Sequence, residues 1–141
     1  MPDAATAALA KKLRLTPTTH LLALNAPEAY IAALRQPGLV AAIAIEANGA
    51  PCDAAHVFAR TRAEALAGLT AAVAALRVGG VLWVMWPKKD SGVVSDLTRD
   101  TLAALALTQG WGPVSNVAVD AVWSALRLRP EVDVKRAGRP S

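Results

Sequence analysis

The sequence has few of the residues from which proteins build covalent or metal sites. It contains a single cysteine, Cys52, so an internal disulfide is excluded, and a lone thiol is typical of a reducing compartment. Cys52, His20 and His56 are the only soft metal ligands, whereas a structural zinc site usually needs four, so no metal site is predicted. Neither Ser91 nor Ser124 lies in a G-x-S-x-G elbow, and no hydrolase triad is indicated.

Long apolar runs are also missing. No stretch approaches the roughly 20 apolar residues that a membrane span requires. The opening segment MPDAATAALAKKLRL lacks the order of a signal peptide, because its lysines follow the apolar part. We therefore expect a cytoplasmic protein without a membrane partner. With 141 residues and 54% hydrophobic composition, the chain is long enough for one domain with a sizeable core.

Positive charge is concentrated near the carboxyl terminus. Residues 127 to 141 carry +3 of the formal net charge of +4, and basic residues are not interleaved with aromatic ones as single-strand binding requires. A basic end on a nearly neutral domain is typical of a solvated tail. We predict a single domain over residues 1 to 129, a flexible basic tail over residues 130 to 141, and no nucleic-acid partner.

Apolar runs of strand length alternate with helical segments along the chain. The pattern predicts parallel strands at 20 to 24, 40 to 46, 55 to 59 and 81 to 86, followed by an antiparallel hairpin. The first and third strands should be neighbours, because the strand order of such sheets reverses at the first strand. The expected fold is a three-layer Rossmann-like α/β sandwich, with a mostly parallel sheet that closes with an antiparallel C-terminal hairpin.

The clearest segment is the apolar run from Val81 to Trp86 and the polar loop that follows it. The run is typical of a central parallel strand, and Ser95 is expected to cap the next helix. Ligands of parallel sheets lie at the carboxyl ends of strands, so lysines and a glycine beside a helix start predict an anion site. The predicted ligand-binding residues are Asn25, Lys88, Lys89, Ser91, Gly92 and Ser95.

The turn after the first strand, from Leu24 to Ala29, contains no glycine. Dinucleotide and S-adenosylmethionine sites in such folds normally need glycine there, because it lets the backbone approach the ligand closely. Pro27 also removes a backbone donor. A standard cofactor cradle is therefore not predicted, although Asn25 can bind a ligand or cap the next helix.

Three stretches resemble the motifs of a known family. They are LLALNAPEAY (21 to 30), LWVMWPKKDSGVVSDLT (82 to 98) and VDAVWSAL (119 to 126). They are similar to the NAPEGY, LWVxWPKKxSGVxTDLT and DxxWSGLKF motifs of small uncharacterised bacterial proteins, a domain of unknown function. The sequence departs from these motifs at Ala29, Ser95 and Ala125. The family implies no established activity.

The layout is in turn similar to that of class I methyltransferases. This resemblance implies that Glu46, at the end of the second strand, is an acidic ribose-binding residue, and that Asp53 belongs to a second cofactor motif before the third strand. The helix-to-strand turn RVGGVLWV and the closing hairpin also resemble that layout. The short interval between the second and third strands suggests that one strand-helix unit has been lost.

Three functions are compatible with these features. The leading interpretation is a non-catalytic or cryptic binder of a small anionic ligand at the carboxyl ends of the parallel strands. The alternatives are a divergent S-adenosylmethionine-dependent methyltransferase and a protein-protein interaction module whose apolar surface and basic tail dock a partner. The sequence leaves open whether the protein is an enzyme, which cofactor it takes and whether it forms a homo-oligomer.

Overall fold

A computed structural model describes residues 2 to 133 of the chain. Helices and strands alternate along it, as the apolar pattern predicts. The helices are α1 (Ala4–Lys12), α2 (Glu28–Leu34), α3 (Arg62–Ala75) and α4 (Arg99–Thr108). The strands are β1 (His20–Leu24), β2 (Ala42–Ala44), β3 (Cys52–Phe58), β4 (Leu76–Pro87), β5 (Trp111–Ala118) and β6 (Trp123–Pro130).

The six strands form one sheet in the order β2-β1-β3-β4-β6-β5. Strands β1 to β4 are parallel, whereas β6 runs antiparallel to both β4 and β5. The predicted fold class and the predicted adjacency of β1 and β3 are confirmed. The loops after β1 to β4 and the turn between β5 and β6 therefore lie together at one end of the sheet, which we call the carboxyl end. The opposite end is called the amino end.

Helices cover both faces of this sheet. Because side chains alternate along a strand, Leu21 and Trp83 pack with α1 and α2 on one face, while Leu22 and Val84 pack with α3 and α4 on the other. At Gly68 the backbone of α3 lies so close to Val57 that an added Cβ would overlap its side chain. The predicted three-layer arrangement is thus present, with a separate apolar core on each face.

Several element boundaries differ from the predictions. Gly79 and Gly80 do not stop a helix; α3 ends at Ala75, and the strand that follows includes both glycines. The reason is that β3 begins at Cys52 and pairs there with Leu76, so both strands start earlier than their apolar runs. The second strand covers only residues 42 to 44.

The predicted cap at Ser95 is wrong. Helix α4 begins at Arg99, and the Thr98 hydroxyl caps it by accepting from the Thr101 amide. The Ser95 hydroxyl instead donates to the Arg60 carbonyl at 2.8 Å and accepts from the Leu97 amide at 3.1 Å. These bonds tie the loop after β4 to the start of α3, so the chain becomes helical one turn later than expected.

The carboxyl terminus is described only in part. Strand β6 reaches Pro130, and one helical turn follows at residues 131 to 133. The rest of the predicted tail lies outside the described residues, so the tail and the domain boundary stay predictions. Between residues 2 and 133, no helix has the length and apolar character needed to cross a membrane.

Candidate functional site

The carboxyl end of the sheet carries a cleft between β1, β2 and α2, which we call the first cleft. Its volume is about 510 Å³, within the range of small-molecule sites. It is lined by Ala23, Asn25, Ala26, Glu28, Ile31, Ala32, Arg35 and Ile45. The cleft lies beside β1. Strand β2, the next in the chain, pairs on one side of β1, and the strand after it, β3, pairs on the other side. Such a point of reversal is where α/β sheets bind ligands.

Asn25 forms the turn after β1 and lines the first cleft. It follows β1 directly and has a φ of 58°, in the left-handed region that glycine usually occupies. Asparagine is among the few other residues that adopt this conformation readily. The turn after β1 thus has the backbone conformation that a glycine would give, and it adds a side-chain amide beside the cleft.

Glu46 lies two residues beyond the end of β2. Its side chain is exposed, and it makes no ion pair and no side-chain hydrogen bond with any residue between 2 and 133. The neighbouring Ile45 lines the first cleft and remains 57% exposed. An unpaired carboxylate therefore lies next to an exposed apolar side chain at the carboxyl end of β2.

A second cleft, of about 520 Å³, follows β4. It is lined by Trp86, Pro87, Lys88, Lys89, Val93, Ser95, Asp96, Leu97, Thr98 and Arg99. The structure brings Lys88, Lys89 and Ser95 together here, and Trp86 forms part of the cleft wall. Asn25 lines the first cleft instead, so the predicted ligand-binding residues are divided between two clefts.

The two lysines of the second cleft differ. Lys88 donates from Nζ to the Asp120 carbonyl at 2.6 Å and from its backbone to the Val122 carbonyl at 2.7 Å. Asp120 in turn accepts from the Val122 and Trp123 amides, each at 2.8 Å. Lys89 is exposed, and its side chain has no partner within the described residues. Lys88 thus fixes the turn between β5 and β6, while Lys89 is free to meet a ligand.

Ser91 and Gly92 shape the loop but line neither cleft. The Ser91 amide donates to the Lys88 carbonyl at 3.0 Å, and its hydroxyl accepts from the Val93 amide at 3.2 Å. Gly92 has a φ of 84°, which glycine adopts without strain. Both residues therefore form part of a turn, and neither lies in the wall of the first or the second cleft.

Asp53 lies at the amino end of the sheet, on β3. It accepts a hydrogen bond of 2.8 Å from the His20 amide, and Arg77 approaches its other oxygen at 3.6 Å. The His20 backbone bond is the largest cause that holds the pKa of this carboxyl below its ordinary value. The structure thus separates Asp53 from Asn25 and Glu46 by the length of the sheet.

A buried pair that the sequence did not single out supports the first cleft. The Tyr30 hydroxyl of α2 lies 2.7 Å from Nδ1 of His56 on β3, and both side chains are buried. Burial lowers the pKa of His56 to about 3, and burial followed by the charge of Asp120 raises that of Tyr30. Nε2 of His56 has no partner within residues 2 to 133. His56 is a packed core histidine.

The hydrogen bond between Tyr30 and His56 links α2, which forms one wall of the first cleft, to the centre of the sheet. The signal for it was the lone tyrosine on the apolar stripe of α2, but only the packing of α2 on β3 identifies its partner. Among residues 2 to 133, no three His, Cys, Asp or Glu side chains are grouped so that they could hold a metal ion.

Comparisons with known proteins extend these observations. Neither a protein-family model nor a curated protein matches the sequence. Among solved structures, the chain is similar to an O-methyltransferase of neocarzinostatin biosynthesis in complex with S-adenosylmethionine and 2-hydroxy-5-methyl naphthoic acid. The TM-score is 0.60 and the identity 14%, over 79% of this chain and 48% of that chain. The chain therefore spans about half the length of that enzyme.

Two further structures are similar over most of their length. An S-adenosylmethionine-dependent methyltransferase from Thiobacillus denitrificans, in complex with S-adenosyl-L-homocysteine, has a TM-score of 0.59 and 13% identity, over 89% of this chain and 90% of that one. The N-methyltransferase NodS from Bradyrhizobium japonicum has a TM-score of 0.55 and 14% identity, over 92% and 99%.

The fold is therefore the Rossmann-like fold of S-adenosylmethionine-dependent methyltransferases, at identities that establish the fold alone. The leading interpretation from the sequence, a non-catalytic binder of a small anion, is contradicted by these neighbours. They favour the alternative of a divergent methyltransferase. The turn after β1 lacks glycine but does not exclude this fold, because Asn25 supplies the same backbone conformation.

Proposed function

We propose that the chain is a divergent S-adenosylmethionine-dependent methyltransferase that binds this cofactor at the first cleft. The observation that carries the proposal is the placement of the cleft. It lies at the point of reversal of a methyltransferase-like sheet, and its lining includes Asn25 in its left-handed turn and Ile45, which directly precedes the unpaired Glu46.

The residues of the first cleft fit S-adenosylmethionine in size and chemistry. Ala23, Ala26 and Ala32 keep the cleft wide enough for a ligand of this class. Glu46 offers carboxylate oxygens to the ribose hydroxyls, and the exposed face of Ile45 offers an apolar surface to the adenine ring. Glu46 is available for this role because its carboxylate has no hydrogen-bond or ion-pair partner among the described residues, and Ile45 is available because its side chain is exposed.

When bound, S-adenosylmethionine supplies a methyl group made electrophilic by its sulfonium centre. The residues of the chain bind this cofactor and orient it. Asn25 presents an amide beside the cofactor, and the Tyr30–His56 hydrogen bond fixes the helix that forms the cleft wall. Pro27 lacks a backbone donor, so side chains hold the cofactor where other folds use amides. Asp53, at the amino end, takes no part.

The second cleft is the proposed site of the methyl acceptor. Strands β1 and β4 are separated only by β3, so both clefts open at the carboxyl end of the sheet. Lys89 and Arg99 give the second cleft positive charge, and Trp86 and Leu97 give it apolar walls. These features support an acceptor that carries a negative group on an apolar body.

Calorimetric titration with S-adenosylmethionine and S-adenosylhomocysteine tests the proposal. We expect saturable binding of both, and a loss of at least about tenfold in affinity for Glu46→Ala, the cost of one charge-assisted hydrogen bond. Asp100→Ala is the matched control, because Asp100 is a similarly exposed carboxylate on α4. Absence of binding, or an equal loss in both variants, contradicts the proposal. Turnover is measured as S-adenosylhomocysteine formed by mass spectrometry.

Three finer predictions accompany this proposal. The three sequence motifs support membership of the family of small bacterial proteins that they resemble. The single free cysteine, which is buried, supports a cytoplasmic location. The short strand β2 at the edge of the sheet supports a homo-oligomer, which analytical ultracentrifugation tests.

A further inference from the structure

Two charged side chains of the first cleft have no role in the proposed contacts with ribose and adenine. They are Glu28 and Arg35, and both line this cleft. Glu28 is the first residue of α2, and Arg35 is the residue that ends it. Both are exposed, and neither makes an ion pair or a side-chain hydrogen bond with any residue between 2 and 133. One wall of the cleft therefore carries an unpaired carboxylate and an unpaired guanidinium group.

The spacing along α2 places the two charges on one side of the helix and keeps them apart. Arg35 keeps the right-handed helical backbone conformation, so seven residues correspond to two turns and about 10 Å along the axis. Ion pairs on a helix form at spacings of three or four residues, so Glu28 and Arg35 are too far apart to pair directly. Helical side chains lean toward the amino terminus of the helix, and the longer arginine reaches further. The gap between the charged groups is therefore narrower than the distance along the axis.

Ile31 and Ala32 form the cleft wall between the two charges. Ile31 is buried and gives this wall an apolar surface, while Ala32 is small and leaves room above it. Along α2 the cleft thus presents a negative charge, an apolar strip and a positive charge. This wall is complementary to a ligand that carries a cationic and an anionic group close together on a short aliphatic chain.

We propose that Glu28 and Arg35 bind the amino-acid part of S-adenosylmethionine. Glu28 accepts a hydrogen bond from its α-ammonium group, and the planar fork of Arg35 donates to its α-carboxylate. Two charge-assisted hydrogen bonds of about 2.8 Å, together with the one carbon atom that carries both ligand groups, fill the gap between the side chains. The aliphatic chain of the ligand lies against Ile31 and Ala32. The inference rests on the proposed function, because it requires that the cofactor occupies the first cleft.

Two ligands that differ only in the amino-acid part test this assignment by calorimetry. S-adenosylhomocysteine contains that part, whereas 5′-methylthioadenosine keeps the nucleoside and the sulfur atom but lacks it. Glu28→Gln and Arg35→Gln should each weaken S-adenosylhomocysteine binding about tenfold and leave 5′-methylthioadenosine binding unchanged. Glutamine removes the charge while its helix propensity stays close to those of glutamate and arginine.

Two control variants remove matching charges at helix ends away from the cleft. Asp100→Asn acts in the first turn of α4, as Glu28→Gln does in α2, and Lys12→Gln acts in the last turn of α1. Both controls should leave the affinity for both ligands unchanged. If Glu28 and Arg35 only stabilise the ends of α2, their variants lose melting temperature without ligand but no affinity, and the inference is overturned.

Decarboxylated S-adenosylmethionine distinguishes the two contacts, because it keeps the ammonium group and lacks the carboxylate. Arg35→Gln should leave the affinity for this ligand unchanged, whereas Glu28→Gln should still weaken it about tenfold. The opposite pattern overturns the assignment of the two groups. If both nucleoside ligands bind the parent and the variants equally well, this inference fails while the proposed function stands. If neither ligand binds the parent, the proposed function fails and the inference with it.

Discussion

The two ends of the parallel sheet use charged residues differently. At the amino end, Asp53 is bonded to the His20 backbone and approached by Arg77, so its charge is committed within the fold. At the carboxyl end, Glu46 and Lys89 have no side-chain partner among the described residues. Both ends belong to the same four parallel strands and therefore rest on the same two apolar cores.

The difference indicates which charges serve stability and which are left for ligands. A carboxylate that accepts a backbone bond contributes to the fold, whereas an exposed, unpaired one contributes little. Lys88 shows that position alone does not decide this, because it lies at the carboxyl end and is nevertheless bonded to Asp120. Functional candidates are therefore best chosen by their partners and not by their place in the loop.

The largest expected effect is a loss of stability at acidic pH. It is caused by His56, which lies on β3 in the middle of the sheet that both ends share. Its pKa is about 3 in the folded state and 6.5 when exposed, so the unfolded state binds more protons between these values. The stabilising contribution of neutral His56 should be complete above about pH 6.5. Below that pH, the free energy of unfolding should fall by up to about 1.4 kcal/mol per pH unit. Guanidinium titrations at pH 7 and pH 5 measure this slope.

The variant His56→Leu isolates that contribution. It leaves the Tyr30 hydroxyl unpaired, so the protein should be less stable at pH 7, but the slope between pH 7 and pH 5 should flatten. Asp53 does not interfere in this window, because its folded pKa lies below 3.8 and its contribution is lost only at lower pH. An unchanged slope in His56→Leu contradicts the assignment.

The next effect concerns the core beneath both ends. Gly68→Ala should reduce the free energy of unfolding by about 1 to 3 kcal/mol, since the new Cβ overlaps Val57 and the helix must shift outward. Val57→Ala in the same chain makes room, so the double variant should lose less than the sum of the single losses. Additive losses in denaturant titrations would show that the overlap is relieved elsewhere.

A smaller effect compares the two ends directly. Asp53→Ala should lower the free energy of unfolding by about 1 kcal/mol, because the partly exposed side chain accepts a backbone hydrogen bond. Glu46→Ala should change it by less than about 0.5 kcal/mol. For S-adenosylmethionine the order reverses, with affinity lost only in Glu46→Ala. Equal effects of the two variants in either measurement would break the comparison.

The smallest effect separates the lysines of the second cleft. Lys88→Ala should cost about 0.5 to 1 kcal/mol, because it removes the bond to the Asp120 carbonyl. Lys89→Ala should leave stability unchanged within about 0.5 kcal/mol. Thermal unfolding of the two variants and of the double variant measures the difference. A greater loss for Lys89→Ala than for Lys88→Ala would mean that the contacts of the loop differ in solution.

Much of the fold was predictable from local pattern. The apolar runs around Leu22 and Val84 are too short for helices and too apolar for surface strands, which fixes them as buried strands wherever they pair. The Asp3 carboxylate and the Thr61 hydroxyl each accept a hydrogen bond from the backbone amide three residues further along the chain. Such caps are what their positions before helical segments predict. These features depend on neighbours in sequence and on burial, both of which the sequence displays.

Tertiary structure alone decided the candidate sites. The sequence names Asn25 and Glu46, but only the pairing of β1 with β2 brings Asn25 into the wall of the same cleft as Ile45, the neighbour of Glu46. Whether a charged side chain is bonded or free depends on groups far along the chain. Local propensity contains no information about such contacts, since their energy comes from packing that brings distant segments together.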